Sequence, residues 1–299
     1  MSERIDVLTD DIVGNRGTTG DRNTRRRHTP AGLVIDAVLV LGGLLMLVPL
    51  AWLVLTSFTA AGSAFQLPPQ WIPRSPTLHN FAQVPGLIPF GRMAFNSVEI
   101  ATITTLGALV TSSLAAYAFS RLRFRGRDGI FLALLAALMV PVQLTVIPVF
   151  ILMRYLHLVD TSAAVWLPAL VNVFGIFFLR QYFASIPREL DEAARIDGAS
   201  HLWILVRVIL PLSRPALSAL AIFVFQASWN DFFWPYIFLS SPEKMTLPVG
   251  LVSLQGAMGG GPAVVVFASI TLVVVPTLLL FLVFQRSFIA SIATTGLRS

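Results

Sequence analysis

Six long apolar runs dominate this chain and limit what it can fold into. A helix of about 20 apolar residues is long enough to cross the hydrocarbon core of a bilayer. Only 12% of the residues are charged, against about 25% in soluble domains, so a water-soluble fold could not cover its surface. The sequence therefore predicts an all-α integral membrane protein with six transmembrane helices. They cover Ala37–Phe58, Asn96–Ala118, Ile130–Met153, Ala163–Leu179, Ala216–Leu239 and Ala263–Phe284.

The basic residues predict the orientation of these helices. With the N-terminus inside, all but four of the 21 Lys and Arg residues lie on cytoplasmic segments. Cytoplasmic loops of membrane proteins carry such an excess, so we expect both termini in the cytoplasm. The formal net charge of +6 then flanks membrane spans and requires no nucleic-acid partner. The four exceptions are Arg74, Arg92, Arg154 and Lys244.

The segments outside the apolar runs give the domain boundaries. Residues 1–30 have little apolar periodicity and predict a disordered cytoplasmic tail. A six-helix transmembrane domain is expected over residues 31–290, followed by a short cytoplasmic tail over residues 291–299. Two outer loops are expected: an irregular one over residues 59–95 with a short helix, and a flexible or tightly turned one over residues 241–262 that ends in GGGP.

Several kinds of chemistry are excluded. The chain has no cysteine, and its four histidines are dispersed without an H-E-x-x-H pattern, so neither a disulfide nor a zinc site is expected. The single lysine, Lys244, follows Glu243 and therefore does not belong to a G-x-x-x-x-G-K-[ST] phosphate loop. If ATP drives this protein, another chain binds it.

One short segment between the fourth and fifth apolar runs is densely charged. Each charge costs roughly 2.5–3.5 kcal/mol at the centre of a membrane helix, so inserting the segment would cost well over ~10 kcal/mol. The pattern predicts a cytoplasmic helix that ends at Gly198 in a left-handed turn, and a second helix capped by Ser200. The residues alone leave two interpretations open: a solvated interfacial helix, or a docking element for a partner. The charges are Arg188, Glu189, Asp191, Glu192, Arg195 and Asp197.

The spacing within this segment resembles a family signature. The stretch EAARIDGASHLWILVRVILP (residues 192–211) is similar to the E-A-A-x3-G-x9-I-x-L-P loop of ABC-importer permeases, with Val208 in place of the Ile. Other stretches resemble the carbohydrate branch, the MalG-like subunits, and the resemblance extends over about residues 34–289. These stretches are AYAFSRLRFRGR (116–127), MVPVQLTVIPVF (139–150), RQYFASIPRELDEAARIDGAS (180–200) and WNDFFWPYIFL (229–239).

The resemblance implies an ABC type I importer permease fold in a bacterial plasma (inner) membrane, importing a sugar or sugar-like solute. The loop over about residues 185–212 would contain a coupling helix that docks on an ATPase. Glu192 would make a charged contact with that ATPase, and Asp191 and Arg195 would pair with each other or with it. The residues assigned to this coupling are Asp191, Glu192, Ala193, Ala194, Arg195 and Gly198.

The same resemblance implies partners and no chemistry in this chain. The partners would be a second, MalF-like permease subunit, a MalK-like ABC ATPase dimer, an extracytoplasmic solute-binding protein and membrane lipid. ATP and Mg would bind to the ATPase, so we expect a transport subunit without a cofactor of its own and without enzymatic activity.

Asp231 is an acidic residue inside the fifth apolar run. Such a residue faces a partner or a wet cavity rather than lipid. With Trp229, Asn230 and Trp234 it would line a path for sugar, because aromatic faces stack on sugar rings and carboxylates accept hydrogen bonds from hydroxyls. A structural hydrogen bond to the sixth span or to the second permease is the other interpretation.

Two alternative functions remain at this point. One is the same role for another solute, such as glycerol phosphate or a polyol. The other is an ion-coupled secondary transporter that works alone, which would normally show intramembrane carboxylates, discontinuous helices and an internal repeat.

Overall fold

The structure is a computed structural model that describes residues 30–61, 71–257 and 263–278. Apart from Pro30, the two predicted tails, over residues 1–30 and 291–299, lie outside the described residues. Within the described ranges the chain is helical and contains no β-strand, as the sequence predicts.

Thirteen α-helical segments follow one another along the described chain, with short 3₁₀ turns at Val142–Thr145 and Pro242–Lys244. In order they are α1 Pro30–Ser57, α2 His79–Leu87, α3 Phe90–Arg121, α4 Arg127–Ala137, α5 Val146–Tyr155, α6 Ser162–Ala169, α7 Val173–Ser185, α8 Glu189–Ile196, α9 His201–Leu212, α10 Arg214–Trp229, α11 Phe233–Phe238, α12 Leu247–Ala257 and α13 Ala263–Leu278.

The described helices supply three spans, or up to five if each bent pair of helices is one span. The three long apolar helices are Gly32–Ser57, Phe90–Arg121 and Ser162–Ser185. The sixth predicted run is described only as α13, which ends at Leu278. Contacts divide the chain into a unit that ends at Ala51 and a unit that begins at Trp52. The second unit begins within α1 and contains helices α2 to α13.

Helix α3 is the central helix of the second unit and packs most extensively against α7 and α10. Its buried face consists largely of Ala, Ser and Thr, and such small residues allow membrane helices to approach closely. Helix α7 approaches α3 closely at Gly175, where an added Cβ would lie 2.6 Å from the Ser112 hydroxyl. The Asn172 side chain caps α7 by accepting from the Gly175 N–H at 2.7 Å.

The predicted span Ala163–Leu179 is interrupted at residues 170–172, between α6 and α7, although together they form the single apolar stretch Ser162–Ser185. Two other predicted spans are broken. The run Ile130–Met153 divides into α4 and α5, which are bent by 95°, because Pro141 cannot continue the helical hydrogen bonds. The run Ala216–Leu239 is interrupted at residues 230–232, between α10 and α11.

The predicted outer loops are more ordered than expected. The short helix expected within residues 59–95 is confirmed as α2. The loop predicted over residues 241–262 instead contains the eleven-residue helix α12. That prediction was wrong because it relied on the GGGP sequence at the end of the segment and gave too little weight to the apolar run LPVGLVSLQGA that precedes it.

Candidate functional site

The charged segment folds as predicted, into a short helix, a glycine turn and a second helix. Helix α8 has its acidic residues in the first turn and Arg195 in the last, the arrangement that the helix dipole favours. Gly198 has φ +82°. The N–H of Ala199 bonds to the carbonyl of Ala194, and the N–H of Gly198 to that of Arg195, both at 2.9 Å, which is the Schellman termination.

Helix α9 then begins at its predicted cap, because the Ser200 hydroxyl accepts from the Trp203 N–H at 3.3 Å. Ile204, Leu205 and Ile209 are buried in the core cluster that contains Phe183. This cluster fixes α9 against α3 and α7. The axis then turns by 82° into α10, so α9 leads directly into the helix that begins the fifth predicted span.

A buried arginine holds α8 in place. Arg121, the last residue of α3, donates from Nη2 to the carbonyls of Phe183 and Ile186 at 2.6 and 2.7 Å. Its Nη1 lies 3.4 Å from Oδ2 of Asp191 on α8, and the two side chains are only 3% and 15% exposed. We call these four residues the Arg121 clamp. It joins three elements: the end of α3, the end of α7 and the base of α8.

The clamp corrects one expectation. Asp191 was predicted to pair with Arg195 or with the partner, because the two residues are four apart on one helix. Among the described residues its ion pair is with Arg121, and the Arg195 guanidinium contacts Nε2 of His201 at 2.8 Å. The Tyr117 hydroxyl lies 3.5 Å from Nδ1 of the same imidazole, so α3 and α8 are connected a second time through His201.

The opposite face of α8 is open. Glu192 and Ala193 are exposed, as are Leu190, at 41%, and Ile196, at 87%. Ala194 instead packs against the chain's own core cluster. The two alanines therefore have different roles. The small side chain of Ala194 lets α8 lie close to the body of the protein, and the small side chain of Ala193 projects little from the exposed face of α8.

A cavity of about 550 Å³ lies between α8 and the end of α3. Acidic and basic side chains both line it, and Glu192 lies at its edge, between this cavity and the exposed face of α8. The lining residues are Tyr117, Arg121, Leu122, Arg123, Phe124, Arg188, Asp191, Glu192, Arg195 and His201.

The four residues predicted for a sugar path are not brought together. Trp229 is 3% exposed and stacks on Phe225 at 6.0 Å between ring centroids. Trp234 stacks on Phe238 at 5.4 Å and belongs to a different apolar cluster. Only the break between α10 and α11 remains open, where Asn230 is exposed and Asp231 half-buried.

Asp231 also has a local role that the sequence interpretation missed. Its Oδ1 accepts from the Phe233 N–H at 2.9 Å and so begins the short helix α11. The signal was present, since an Asn-Asp pair is typical of a helix start or a turn, but the surrounding apolar run concealed it. Within the described ranges no group of three acidic, histidine or cysteine side chains could hold a metal ion.

Comparisons with known proteins agree with this fold. Residues 108–293 match the family model described as "Binding-protein-dependent transport system inner membrane component". The chain is 40% identical over 203 residues to the arabinooligosaccharides transport system permease protein AraQ of Halalkalibacterium halodurans, covering 68% of this chain and 72% of that protein. It is 34% identical over 270 residues to the trehalose/maltose transport system permease protein MalG of Thermococcus litoralis, covering 89% and 96%.

A solved structure gives the same result at the level of the fold. The crystal structure of a bacterial ABC transporter involved in the import of the acidic polysaccharide alginate superimposes with a TM-score of 0.76 at 26% identity, covering 87% of this chain and 97% of that one. The chain therefore belongs to the binding-protein-dependent transport system inner membrane components, the permease subunits of ABC importers, and is similar to their MalG-like carbohydrate branch.

Proposed function

We propose that this chain is a permease subunit of an ATP-driven ABC importer and translocates a sugar or sugar-like solute that an extracytoplasmic binding protein delivers. A second permease, MalF-like, completes the pathway. A MalK-like ATPase dimer binds ATP and Mg and carries out the hydrolysis. The chain crosses the membrane six times with both termini in the cytoplasm, which places α8 and the Arg121 clamp on the side of the ATPase.

The observation that supports coupling most strongly is the two-sidedness of α8. Its underside is held by a buried ion pair and two carbonyl hydrogen bonds, and its outer side exposes Glu192 and Ile196. A helix that is rigidly attached to the spans on one face and free on the other can transmit the movement of a docked partner. Glu192 supplies a charge for that partner, and Ile196 supplies apolar area.

Asp191, Arg195 and Gly198 contribute to coupling indirectly. Asp191 attaches α8 to α3 through Arg121, Arg195 contacts His201, and Gly198 sets the turn that leads to α9. Ala193 keeps the docking surface low and Ala194 keeps the helix close to the core. In this proposal the ATPase touches Glu192, Ala193 and Ile196 directly.

For the solute, the proposal retains Asn230 and Asp231 at the break in the fifth span and gives Trp229 and Trp234 a packing role. Broken membrane helices line substrate sites in many transporters. The names of the relatives supply the class of solute: arabinooligosaccharides for AraQ and trehalose or maltose for MalG. We extend to this chain only the class, a sugar.

The test is a change of Glu192→Lys in the assembled importer, reconstituted with its ATPase, second permease and binding protein. Reversing the charge on the exposed face of α8 is expected to reduce retention of the ATPase and sugar uptake together. Because Asp197 is only about 40° from Ala193 around the helix, it lies on the docking face and does not serve as a control. Glu243→Lys is the matched control: Glu243 is also an exposed acid but belongs to the 3₁₀ turn Pro242–Lys244, outside α8.

The result that would contradict the proposal is equal loss of the ATPase with Glu243→Lys, or uptake that continues without any ATPase. The second outcome would favour the secondary transporter. The solute is identified separately, by screening the binding protein that copurifies with the importer for sugars, polyols and glycerol phosphate.

A further inference from the structure

A second cavity, of about 560 Å³, opens where α3 connects to α4. It adjoins the cavity beneath α8, since Arg123, Phe124 and Arg188 line both. Its wall has three arginines and one carboxylate. The lining residues are Arg123, Phe124, Gly126, Arg127, Asp128, Gly129 and Arg188.

Two of the three arginines are available to a ligand. Arg127 is engaged by Asp128, with Nε 2.9 Å from Oδ1. Arg123 and Arg188 are exposed, and no carboxylate within the described part of the chain pairs with either of them. The cavity therefore carries excess positive charge from two separate segments, Arg123 from the connection between α3 and α4 and Arg188 from the residue before α8.

The connection joins two apolar helices and is therefore expected at the level of the lipid headgroups. Helix α3 is a membrane span that ends at Arg121, and α4 begins the next apolar run at Arg127, so the residues between them have little freedom to leave the interface. Phe124 and Ile130 are 42% and 51% exposed beside the cavity. Apolar side chains next to free arginines suit the boundary between acyl chains and headgroups.

We propose that this cavity binds the phosphate group of an anionic phospholipid between Arg123 and Arg188. A guanidinium donates two parallel N–H bonds to a phosphate, so two unpaired arginines that line one cavity can together satisfy its oxygens. Because Arg188 directly precedes α8, the lipid ties the base of the docking helix to the membrane surface. This site is separate from the docking face of α8 and does not depend on which solute is carried.

The test uses the complete importer in detergent, with lipid adducts counted by native mass spectrometry. Phosphatidylglycerol is expected to be retained and phosphatidylcholine lost. Arg123→Gln and Arg188→Gln are each expected to weaken phosphatidylglycerol binding about fivefold, the effect of one basic residue near an anionic surface. Arg125→Gln is the matched control, because Arg125 is exposed on the same connection but does not line the cavity.

Three outcomes would overturn the proposal. Equal weakening by Arg125→Gln would show diffuse charge without a site. Inorganic phosphate or glycerol phosphate that displaces the lipid at equal concentration would show a site for a small anion. Unchanged lipid binding with loss of the ATPase from Arg123→Gln would show a protein contact. Arg188→Gln removes the other unpaired arginine of the cavity and is the variant to use if Arg123→Gln does not assemble.

Discussion

Two charged clamps hold the ends of the helical bundle, and they are built differently. The Arg121 clamp is almost fully buried and has one ion pair and two carbonyl bonds. The second, which we call the Asp160 clamp, consists of Asp160 with Ser240, Ser241 and Lys244. Its carboxylate accepts from two backbone N–H groups, the Ser241 hydroxyl and the Lys244 ammonium at 2.6–3.0 Å.

The two clamps differ in how many hydrogen-bond donors can be removed before a charged group is left without a partner. The Asp160 carboxylate is partly exposed and has four donors, so water and neighbouring groups compensate when one donor is removed. The Arg121 clamp has no such additional partners, because Nε and Nη1 of Arg121 and Oδ1 of Asp191 are buried without a hydrogen bond. A buried charge that depends on few partners is costly to disturb. The Arg121 clamp is therefore suited to transmit a movement, and the Asp160 clamp to fix a loop.

The largest effect is expected from Arg121→Met. The change leaves the Asp191 carboxylate buried without a cation and two carbonyls without donors, and breaking such a pair costs about 3–5 kcal/mol. We expect lower thermal stability in detergent and loss of the ATPase from the assembled importer. Arg125→Met, which removes an exposed arginine four residues away, should leave both nearly unchanged.

A double variant sharpens this prediction. Arg121→Met with Asp191→Leu removes both charges, so the desolvation penalty disappears and much of the stability returns. The link between α3 and α8 remains absent, and we expect uptake to stay low although the ATPase is bound. Full recovery of uptake would contradict the role of the clamp in coupling.

A smaller effect is expected from Gly198→Ala. An added Cβ at this position meets no atom within 4 Å, so the cost comes only from the left-handed backbone, about 1–2 kcal/mol. We expect a modest drop in melting temperature and a larger drop in uptake, because the angle between α8 and α9 changes. Gly129→Ala is the control: it also has free space around it but lies within α4, where Ala is tolerated or preferred. Equal effects of the two changes would contradict this account.

The smallest effect is expected from Asp160→Asn, a change that the left-handed φ of +62° at this residue tolerates. The hydrogen bond from the Ser241 hydroxyl, with those from the N–H groups of Ser241 and Ser240 and from Lys244, holds the pKa of Asp160 well below its usual range. A carboxylate with a lowered pKa in the folded state stabilises the fold above its unfolded pKa of about 3.9.

The sign of the pH effect follows from that shift. The contribution of Asp160 is fully present at neutral pH and is lost as the pH falls from about 3.9 through the lower folded pKa. We expect wild type and Asp160→Asn to differ by about 1 kcal/mol near pH 7 and to converge only in strong acid. If wild type and Asp160→Asn already have equal stability at pH 6, in thermal unfolding curves recorded at a series of pH values, the role of the Asp160 carboxylate is contradicted.

The local parts of the candidate site could be predicted from the sequence. The end of α8 at Gly198 and the cap at Ser200 depend on single residues with strong conformational preferences, and both are confirmed. Arg121 could not be singled out, because nothing local distinguishes it from Arg123 two residues later. Its partner Asp191 is 70 positions away, and only the packing of α3 against α7 brings the two together.

The breaks in the spans were missed for a related reason. Apolar composition averages over about 20 residues, so short interruptions at Pro141 and at Asn230-Asp231 do not lower it enough to divide a run. Trp229 and Trp234 were assigned to one path because both lie near Asp231 in the sequence, although they pack into different clusters. Side-chain direction at a broken helix depends on tertiary contacts, which the pattern alone does not contain.

The most direct test of the docking role of α8 is a cross-link from its exposed face. The chain has no cysteine, so Ile196→Cys places a single thiol on α8, at a side chain that is 87% exposed. In the complete importer, a photoactivatable cross-linker attached to this thiol, which reacts with any nearby residue, is expected to join this position to the ATPase. The same label on Arg125→Cys, an exposed position on the connection between α3 and α4, is expected to give much less of this product. An intact complex in which Ile196→Cys fails to cross-link, or cross-links no better than Arg125→Cys, would contradict the assignment of α8 as the docking helix.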